Sequence, residues 1–470
     1  MPGLTESCHR AGRQGGVDPG EAGRRSSISA PVLDAIVLAD GSGTAMPVVG
    51  LSLAERARRV AVRAGARRVL VARDRAAIAA WWSEAAAVRS VLVVRATDQL
   101  VHPPLVGGLV ATAAERAVAV APPAAAATDV APGAYAGALL GRGAAADQLV
   151  AALVRGEDDR ALGAAALAAG AVAVPHGEIA RHPATTTTER TAAARLLYRS
   201  IHKPQDNAIT RYLYRPVSFP LTRLLVHTPV TPNQVSYAVA VLIALGCWLT
   251  ARGPMGSAIA GTALCLVASY LDCCDGEIAR LKLLSSKFGA WLDTVVDELS
   301  QLAYMLAVGW HCRAYFGVDY LGALGFDPWL WAMAIATLTY AISIYCIYFN
   351  IIVVVGSANS QDYVGRFEVV AGAEPGSVRL RPAASQPIAT AGERHPALTW
   401  IATYAPYIVR KDFVSWLALI LAVGHQTQVA FLLLVVGGPA TAVVVGLDHL
   451  RLRLQLRAIA RRGARVTRPA

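Results

Sequence analysis

The chain has 470 residues, of which 55% are hydrophobic and only 16% are charged, whereas soluble domains average about 25% charged. Its net charge of +12, in so apolar a chain, indicates contact with an anionic membrane surface rather than with nucleic acid. The seven cysteines include no C-x-x-C pair, so they indicate neither a disulfide framework nor a zinc site. Collagen-like, mucin-like and disulfide-stapled classes are excluded.

The first 195 residues predict a tail and a domain. Residues 1–30 mix Gly, Ser and charge without an apolar run, so we expect a disordered tail without a signal peptide. Residues 31–195 alternate short strand-like runs with Ala- and Arg-rich helical stretches, one of them through Trp81 and Trp82. This alternation predicts βαβ units in a three-layer, Rossmann-like α/β domain. Its Ala-rich part, residues 121–195, is hard to assign.

Residues 196–230 form a juxtamembrane segment in which cations alternate with Tyr, Leu, Phe and Val. This mixture predicts an amphipathic helix at the cytoplasmic interface, with cations toward lipid phosphates and aromatic rings toward acyl chains. A polar linker is the alternative. Thr231 followed by Pro232 predicts an N-cap and the first residue of a helix.

The second half of the chain predicts an all-α polytopic membrane domain, residues 231–455, followed by a basic tail, residues 456–470. Six apolar stretches approach or reach the length that a bilayer requires, and the fifth is the shortest. They are about residues 233–251, 255–274, 288–312, 328–355, 412–425 and 427–449. Lys and Arg concentrate after the second, fourth and sixth stretches. This asymmetry predicts a multi-pass protein of the inner membrane with the α/β domain and the C-terminus in the cytoplasm.

Four carboxylates lie at the cytoplasmic ends of the second and third stretches. They are Asp272, Asp275, Asp293 and Asp297. Carboxylates at membrane depth are costly without a cation, and spacings of three and four residues place each pair on one face of its helix. Four oxygen ligands without imidazole or thiolate suit Mg²⁺ or Mn²⁺ better than zinc. Cys273 and Cys274 are expected to point away as packing residues.

The residues around these carboxylates predict a phosphate or pyrophosphate site. Gly276 and Gly289 remove side chains where a ligand or a facing helix must approach closely, and Arg280 follows at the same mouth. A carboxylate left partly free of metal could accept a proton from an attacking hydroxyl.

This stretch resembles the signature of the CDP-alcohol phosphotransferase family, D-x2-D-G-x2-A-R-x8-G-x3-D-x3-D. Every spacing is kept, at Asp272, Asp275, Gly276, Ala279, Arg280, Gly289, Asp293 and Asp297. The resemblance implies a six-helix membrane fold in which the first three aspartates bind two divalent ions. It implies that Gly276, Ala279, Arg280 and Gly289 line the cytidine diphosphate site. Asp297 would be the base, with a further contact to metal, for attack of an alcohol on the β-phosphorus and departure of CMP.

The run KPQDNAITRYLYRPVSFPLTRLLVHTPVTPNQVS, with Arg410 and Lys411, resembles the di-myo-inositol phosphate phosphate synthase branch. In several of those proteins a nucleotidyltransferase-like domain precedes the membrane part. Here AIVLADGSGT (residues 35–44), Asp98 and TTTTERTAAARLL resemble that domain's opening loop, metal ligand and closing helix. However, no basic residue follows Gly43 directly and no Lys precedes Lys203. We therefore expect an inactive front domain. An active CTP:inositol-1-phosphate cytidylyltransferase is the alternative.

The substrate pair stays open at this point. The donor is expected to be a CDP-alcohol, either CDP-inositol or CDP-diacylglycerol, and the acceptor an alcohol or a polyol phosphate such as inositol phosphate or glycerol phosphate. Candidate contacts to an acceptor phosphate are Arg410, Lys411, Arg211 and Arg215, for which positive-inside anchoring is an equal alternative. Membrane lipids and a homodimer are expected partners, and nucleic acid is not. Alternatives of other classes are a transporter with an intramembrane acidic cluster and a catalytically silent scaffold.

Overall fold

The computed structural model describes an α/β region followed by a helical region. The described residues are 32–84, 89–123, 130–201, 209–318, 325–356, 363–372, 377–383 and 411–467. The expected disordered tail, residues 1–30, lies outside them.

The front region is built on a six-stranded sheet with strand order β4-β1-β5-β8-β7-β9. Its strands are β1 (Val32–Leu38), β4 (Arg68–Ala72), β5 (Arg89–Arg95), β7 (Arg116–Val120), β8 (Tyr135–Arg142) and β9 (Val172–Pro175). Alternate residues of β1 face opposite sides, so Ala35 and Val37 belong to one buried cluster and Ile36 and Leu38 to another. The sheet is therefore covered on both faces, as expected for three layers.

The sheet is mixed rather than purely parallel. Strand β1 pairs in parallel with β4 and β5, whereas β8 pairs antiparallel with both β5 and β7. The uniform βαβ pattern expected from the sequence is thus interrupted by β8. This strand comes from the Ala-rich stretch that could not be assigned, because YAGALLGR has little of the β-branched character that marks a strand.

The helices that cover the sheet are short. They are α1 (Leu53–Arg63), α2 (Ala76–Ser83), α3 (Gly107–Ala111), α4 (Ala144–Val154), α5 (Asp159–Ala168) and α6 (Thr187–Arg199). The hydroxyl of Ser52 accepts from the Glu55 N–H at the start of α1, and Thr186 and Glu189 form a capping box at the start of α6. These caps fix where both helices begin.

The remaining described strands form three smaller sheets. The hairpin β2 (Pro47–Val48) and β3 (Leu51–Ser52) precedes α1, and β6 (Gln99–Val101) pairs with β10 (Arg181–Pro183). Strands β11 (Phe367–Ala371), β12 (Ser377–Pro382) and β13 (Arg465–Thr467) form the third sheet. Because β13 pairs with β12, the C-terminal stretch expected as a basic tail is ordered structure up to residue 467.

The second region is helical. A π-helix (Thr210–Tyr214) leads into α7 (Arg215–Leu225). The long helices that follow are α8 (Pro232–Thr250), α9 (Met255–Leu281), α10 (Lys287–Phe316), α11 (Pro328–Tyr348), α12 (Lys411–Val423) and α13 (Thr427–Arg461), and a π-helix (Phe349–Val355) extends α11. The N-cap expected at Thr231 is present, as a capping box with Gln234.

Four of these helices are long and apolar enough to cross a membrane. They are Pro232–Thr250, Met255–Leu281, Pro328–Val355 and Thr427–Arg461. The third predicted span, α10, has 30 residues but carries Asp293, Asp297 and Glu298, and the fifth, α12, has only 13 residues. These four helices support the conclusion that the chain is a membrane protein, whereas the count of six spans stays a prediction.

Glycines bring α8 and α9 into close contact. A Cβ atom at Gly261 would lie 2.4 Å from the carbonyl oxygen of Gly246 and 2.4 Å from the Thr250 hydroxyl. Small residues of this kind let helix backbones approach in membranes. This close contact lies between the end of α8 and the start of α9.

Helix α7 is amphipathic, but its polar side faces the protein. Arg215, Ser218 and Thr222 are buried, whereas Tyr212 in the π-helix and Leu224 are 73% and 68% exposed. The sequence predicted cations that point toward lipid phosphates. Arg215 departs from that expectation because its guanidinium is paired with Glu277 inside the protein.

Candidate active site

The end of α9 and the start of α10 bring three of the four predicted aspartates together. One carboxylate oxygen of each of Asp272, Asp275 and Asp293 lies within 4.8 Å of the others. The spacing of three residues on α9 places its two carboxylates on one side, and the short turn to α10 delivers Asp293 to the same point. Asp297 lies one turn further along α10 and is outside this group of three.

The central member of the group is Asp275. It is buried, and the Ser236 hydroxyl donates to its Oδ2 atom at 2.6 Å, while Asp272 and Asp293 are half-buried. Ser236 lies in the first turns of α8, just after the capping box that starts that helix. Three helices therefore build the site, and Ser236 holds one carboxylate in place.

A cavity of about 190 Å³ opens beside these carboxylates, between the start of α8, the end of α9 and the start of α10. All four residues predicted to bind the nucleotide line it, namely Gly276, Ala279, Arg280 and Gly289. A Cβ atom at Gly289 would lie 3.1 Å from the Ser286 hydroxyl oxygen and 3.2 Å from Asn233 Oδ1. Glycine at this position keeps the backbone accessible to a ligand.

The donor set fits a hard divalent cation. Three carboxylates converge without imidazole or thiolate, which suits Mg²⁺ or Mn²⁺. Cys274 turns toward α7, where its Sγ atom lies 3.7 Å from the Ser218 carbonyl oxygen. Its thiol therefore points away from the carboxylates, as the sequence led us to expect.

The cations predicted to bind an acceptor phosphate are not gathered at one point among the described residues. Arg211 is exposed on the π-helix, and Arg215 is buried against Glu277. Arg410 lies outside the described residues, and Lys411 is described only as the first residue of α12.

Two glutamates near the site were not singled out from the sequence. Glu277 is fully buried and accepts from Arg215 and from the Ser218 hydroxyl, the latter at 3.1 Å. Glu298 accepts from Tyr340 and Tyr348 and lines a mainly apolar cavity of about 500 Å³ between α10, α11, α12 and α13. The only sequence signal for either residue is an acid placed within a long apolar helix.

In the front domain, Asp98, which resembles a metal ligand, forms ion pairs with two arginines. Arg95 donates to both oxygens of Asp98, at 2.8 and 2.9 Å, and Arg160 donates to one of them at 2.7 Å. Although burial opposes it, this pairing keeps the pKa of Asp98 below its usual value. Both oxygens of this carboxylate are therefore paired with guanidinium groups.

Comparisons with known proteins place the helical region in a family. The sequence model of CDP-alcohol phosphatidyltransferases matches residues 229–424. A similar protein from Aquifex aeolicus, named "Bifunctional IPC transferase and DIPP synthase", is 33% identical over 127 residues, which are 27% of this chain and 27% of the relative. A protein of the same name from Rubrobacter xylanophilus is 42% identical over 93 residues, which are 20% of this chain and 21% of the relative. A third protein of this name, from Thermococcus kodakarensis, is 36% identical over 126 residues, which are 25% of this chain and 28% of the relative. The chain thus spans about a quarter of the length of these relatives in the matched regions. Residues 229–424 are a transferase domain that belongs to the CDP-alcohol phosphatidyltransferase family.

Proposed function

We propose that the protein is an integral-membrane CDP-alcohol phosphotransferase. It would transfer a substituted phosphate from a CDP-alcohol to an acceptor alcohol and release CMP. One observation carries the proposal: the carboxylates of Asp272, Asp275 and Asp293 converge beside a glycine-lined cavity that contains Arg280, within a domain of this family.

The three converging aspartates would hold divalent metal, Mg²⁺ or Mn²⁺, as two ions. When bound, such ions offset the charge of a pyrophosphate. Ser236 would keep Asp275 oriented, because its hydroxyl occupies Oδ2 and directs the remaining lone pairs toward the cluster.

The cavity would hold the cytidine diphosphate part of the donor. Gly276, Ala279 and Gly289 leave its wall free of large side chains, so the backbone can approach the ligand. Arg280 lines the same wall and would pair with a phosphate oxygen.

Asp297 would be the general base and a further contact to metal. It follows Asp293 by four residues, so both lie on one face of α10. Its carboxylate would take the proton of the acceptor hydroxyl as that oxygen bonds to the β-phosphorus. The bond from the β-phosphorus to the bridging oxygen would break, and CMP would leave with that oxygen.

The proposed architecture has six spans in residues 231–455, an interfacial segment in residues 196–230 and a cytoplasmic α/β domain in residues 31–195. Both termini would be cytoplasmic, in the cell membrane, and the protein would work among membrane lipids as a homodimer. The relatives named DIPP synthase support an inositol phosphate as acceptor. Arg211 and Arg410 with Lys411 stay candidates to hold its phosphate, whereas Arg215 is already paired.

The direct test is CMP release by membranes that contain the full-length protein. The membranes are incubated with Mg²⁺, labelled CDP-inositol or CDP-diacylglycerol, and a panel of inositol and glycerol phosphates. We expect one donor and acceptor pair to release CMP, and we expect Asp297→Asn to abolish release while the protein still folds and binds Mn²⁺. Normal turnover by Asp297→Asn would remove the assigned base.

The same membranes test the transporter alternative, which the family match does not favour. Ion flux in vesicles without CMP release from any substrate pair would support a transporter and contradict the proposal.

A further inference from the structure

The turn between α9 and α10, residues 282–286, joins the two halves of the acidic motif. Leu284, Ser285 and Ser286 of this turn line the nucleotide cavity together with Arg280. The Ser286 hydroxyl also accepts from the Gly289 N–H at 2.9 Å and so caps α10. The shape of this turn therefore sets where Arg280 and Gly289 lie relative to each other.

Leu283, in the middle of the turn, is anchored in the front domain. Its φ is 54°, a left-handed conformation that a leucine rarely adopts. Its side chain is only 9% exposed and belongs to the same buried cluster as Ala57 and Val60 of α1. Burial of this side chain in the α/β domain offsets the unfavourable backbone conformation.

Arg59, on α1, holds the neighbouring residue. Its Nη1 atom donates to the Lys282 carbonyl oxygen at 2.7 Å, and its Nε atom donates to Glu55 at 2.7 Å. The Lys282 ammonium donates in turn to the carbonyl oxygens of Thr228 and Val230, at 2.6 and 3.0 Å. The contact from the α/β domain thus continues to the segment that starts α8, which carries Ser236.

The hairpin β2–β3 adds apolar contact at the same place. Val48 and Val49 share a buried cluster with Val226, after α7, and with Leu281, the last residue of α9. Gly50 has a φ of 73°, and a Cβ atom there would lie 2.1 Å from the Val226 carbonyl oxygen. The backbones of the two regions therefore meet directly.

We propose that the α/β domain is a positioning element for the nucleotide site of the membrane domain. Through Arg59 and Leu283 it holds residues 282–286 in the shape that directs Arg280 and Gly289 to the cavity. This gives the front domain a function that does not depend on nucleotidyl transfer. The proposal rests on the proposed function in taking cytidine diphosphate as the ligand of that cavity.

The experiment compares Arg59→Ala with Arg58→Ala in the full-length, detergent-solubilised protein. Both arginines lie on α1 and pair with Glu55, but of the two, as the described residues show them, only Arg59 donates a hydrogen bond to the turn. Binding of CDP in the presence of Mn²⁺ is measured by calorimetry, and hydrogen exchange is measured over residues 279–290. We expect Arg59→Ala to weaken CDP binding about 10-fold, as for loss of a hydrogen bond from a charged donor, and to speed exchange in the turn. Arg58→Ala should match the wild type, and Arg59→Lys should restore part of the binding.

A second variant tests the buried side chain of Leu283 separately from its backbone conformation. Leu283→Gly suits a positive φ better but removes the buried side chain. We expect weaker CDP binding; wild-type or tighter binding would show that the anchor is dispensable and overturn the proposal. Equal binding and exchange in Arg59→Ala and the wild type, or equal losses in Arg59→Ala and Arg58→Ala, would also overturn it. If the wild type binds no CDP, the proposed function itself fails.

Discussion

Arg215 on α7 and Glu277 on α9 form an ion pair inside the protein, with side chains 8% and 0% exposed. Glu277 directly follows Gly276 of the motif, and the Ser218 hydroxyl donates to the same carboxylate oxygen. Helix α7 is therefore fixed to the helix that carries the candidate site. A cation expected at the lipid surface instead joins two helices.

Breaking this pair should destabilise the protein strongly. Arg215→Met leaves the Glu277 carboxylate buried without its cation, which typically costs about 3–5 kcal/mol. The double variant Arg215→Met with Glu277→Leu should recover most of that loss, because it removes both charges. Thermal unfolding in detergent measures both. A single variant as stable as the wild type would contradict the assigned pair.

The contact between α8 and α9 should not tolerate a methyl group at Gly261. Gly261→Ala places a Cβ atom 2.4 Å from the Gly246 carbonyl oxygen, so the helices must separate. Overpacking of this kind costs about 1–3 kcal/mol. Gly256→Ala on the same helix is the control, since a Cβ atom there would meet none of the described heavy atoms within 4 Å. Equal unfolding temperatures for the two variants would refute the close approach.

Ser236→Ala should weaken metal binding without removing a proposed ligand. The variant loses the hydroxyl that donates to Asp275 at 2.6 Å, and loss of such a partner usually lowers affinity about 10-fold or more. Electron paramagnetic resonance titration with Mn²⁺ measures the change. Ser257→Ala is the matched control, because the Ser257 hydroxyl donates to the Pro254 carbonyl oxygen at the far end of α9. Unchanged affinity in Ser236→Ala would argue against metal at Asp275.

The α/β domain should lose stability in mild acid because of His102. Burial, together with nearby Arg56 and Arg63, lowers the pKa of His102 to about 4. In the unfolded chain the pKa is about 6.5, so between pH 6.5 and 4 the unfolded state binds a proton that the folded state does not. The free energy of unfolding should therefore fall by about 3 kcal/mol across that range from this group alone.

His102→Asn should flatten that part of the pH profile. Hydrogen exchange of β5, measured between pH 4 and 7 and corrected for the intrinsic exchange rate, follows the stability of the domain. An identical pH slope in the variant and the wild type would show that His102 does not carry the effect.

The front domain should not make a CDP-alcohol itself. Arg95 and Arg160 occupy the Asp98 carboxylate, so we expect no pyrophosphate release from CTP and inositol 1-phosphate by the full-length protein. Pyrophosphate release that Asp98→Asn abolishes would overturn this prediction.

Helical periodicity predicted that all four aspartates could meet at one point, and the structure groups three of them, Asp272, Asp275 and Asp293, with Asp297 one turn further along α10. The sequence did not predict that Ser236 donates to Asp275 or that Arg215 pairs with Glu277, since these residues are 39 and 62 positions from their partners. Strand β8 was missed because alanine and glycine carry little strand signal. Local periodicity was thus informative, whereas contacts between distant segments required the structure.

Metal-dependent release of CMP is the most direct test of the proposed activity. Membranes stripped with a chelator are assayed with the productive CDP-alcohol and acceptor, before and after Mg²⁺ is restored, for the wild type and Asp293→Asn. We predict that chelation abolishes CMP release, that Mg²⁺ restores it in the wild type, and that Asp293→Asn stays inactive at the same Mg²⁺ concentration. CMP release that survives chelation, or that is normal in Asp293→Asn, would contradict a metal-dependent phosphotransferase at this cluster.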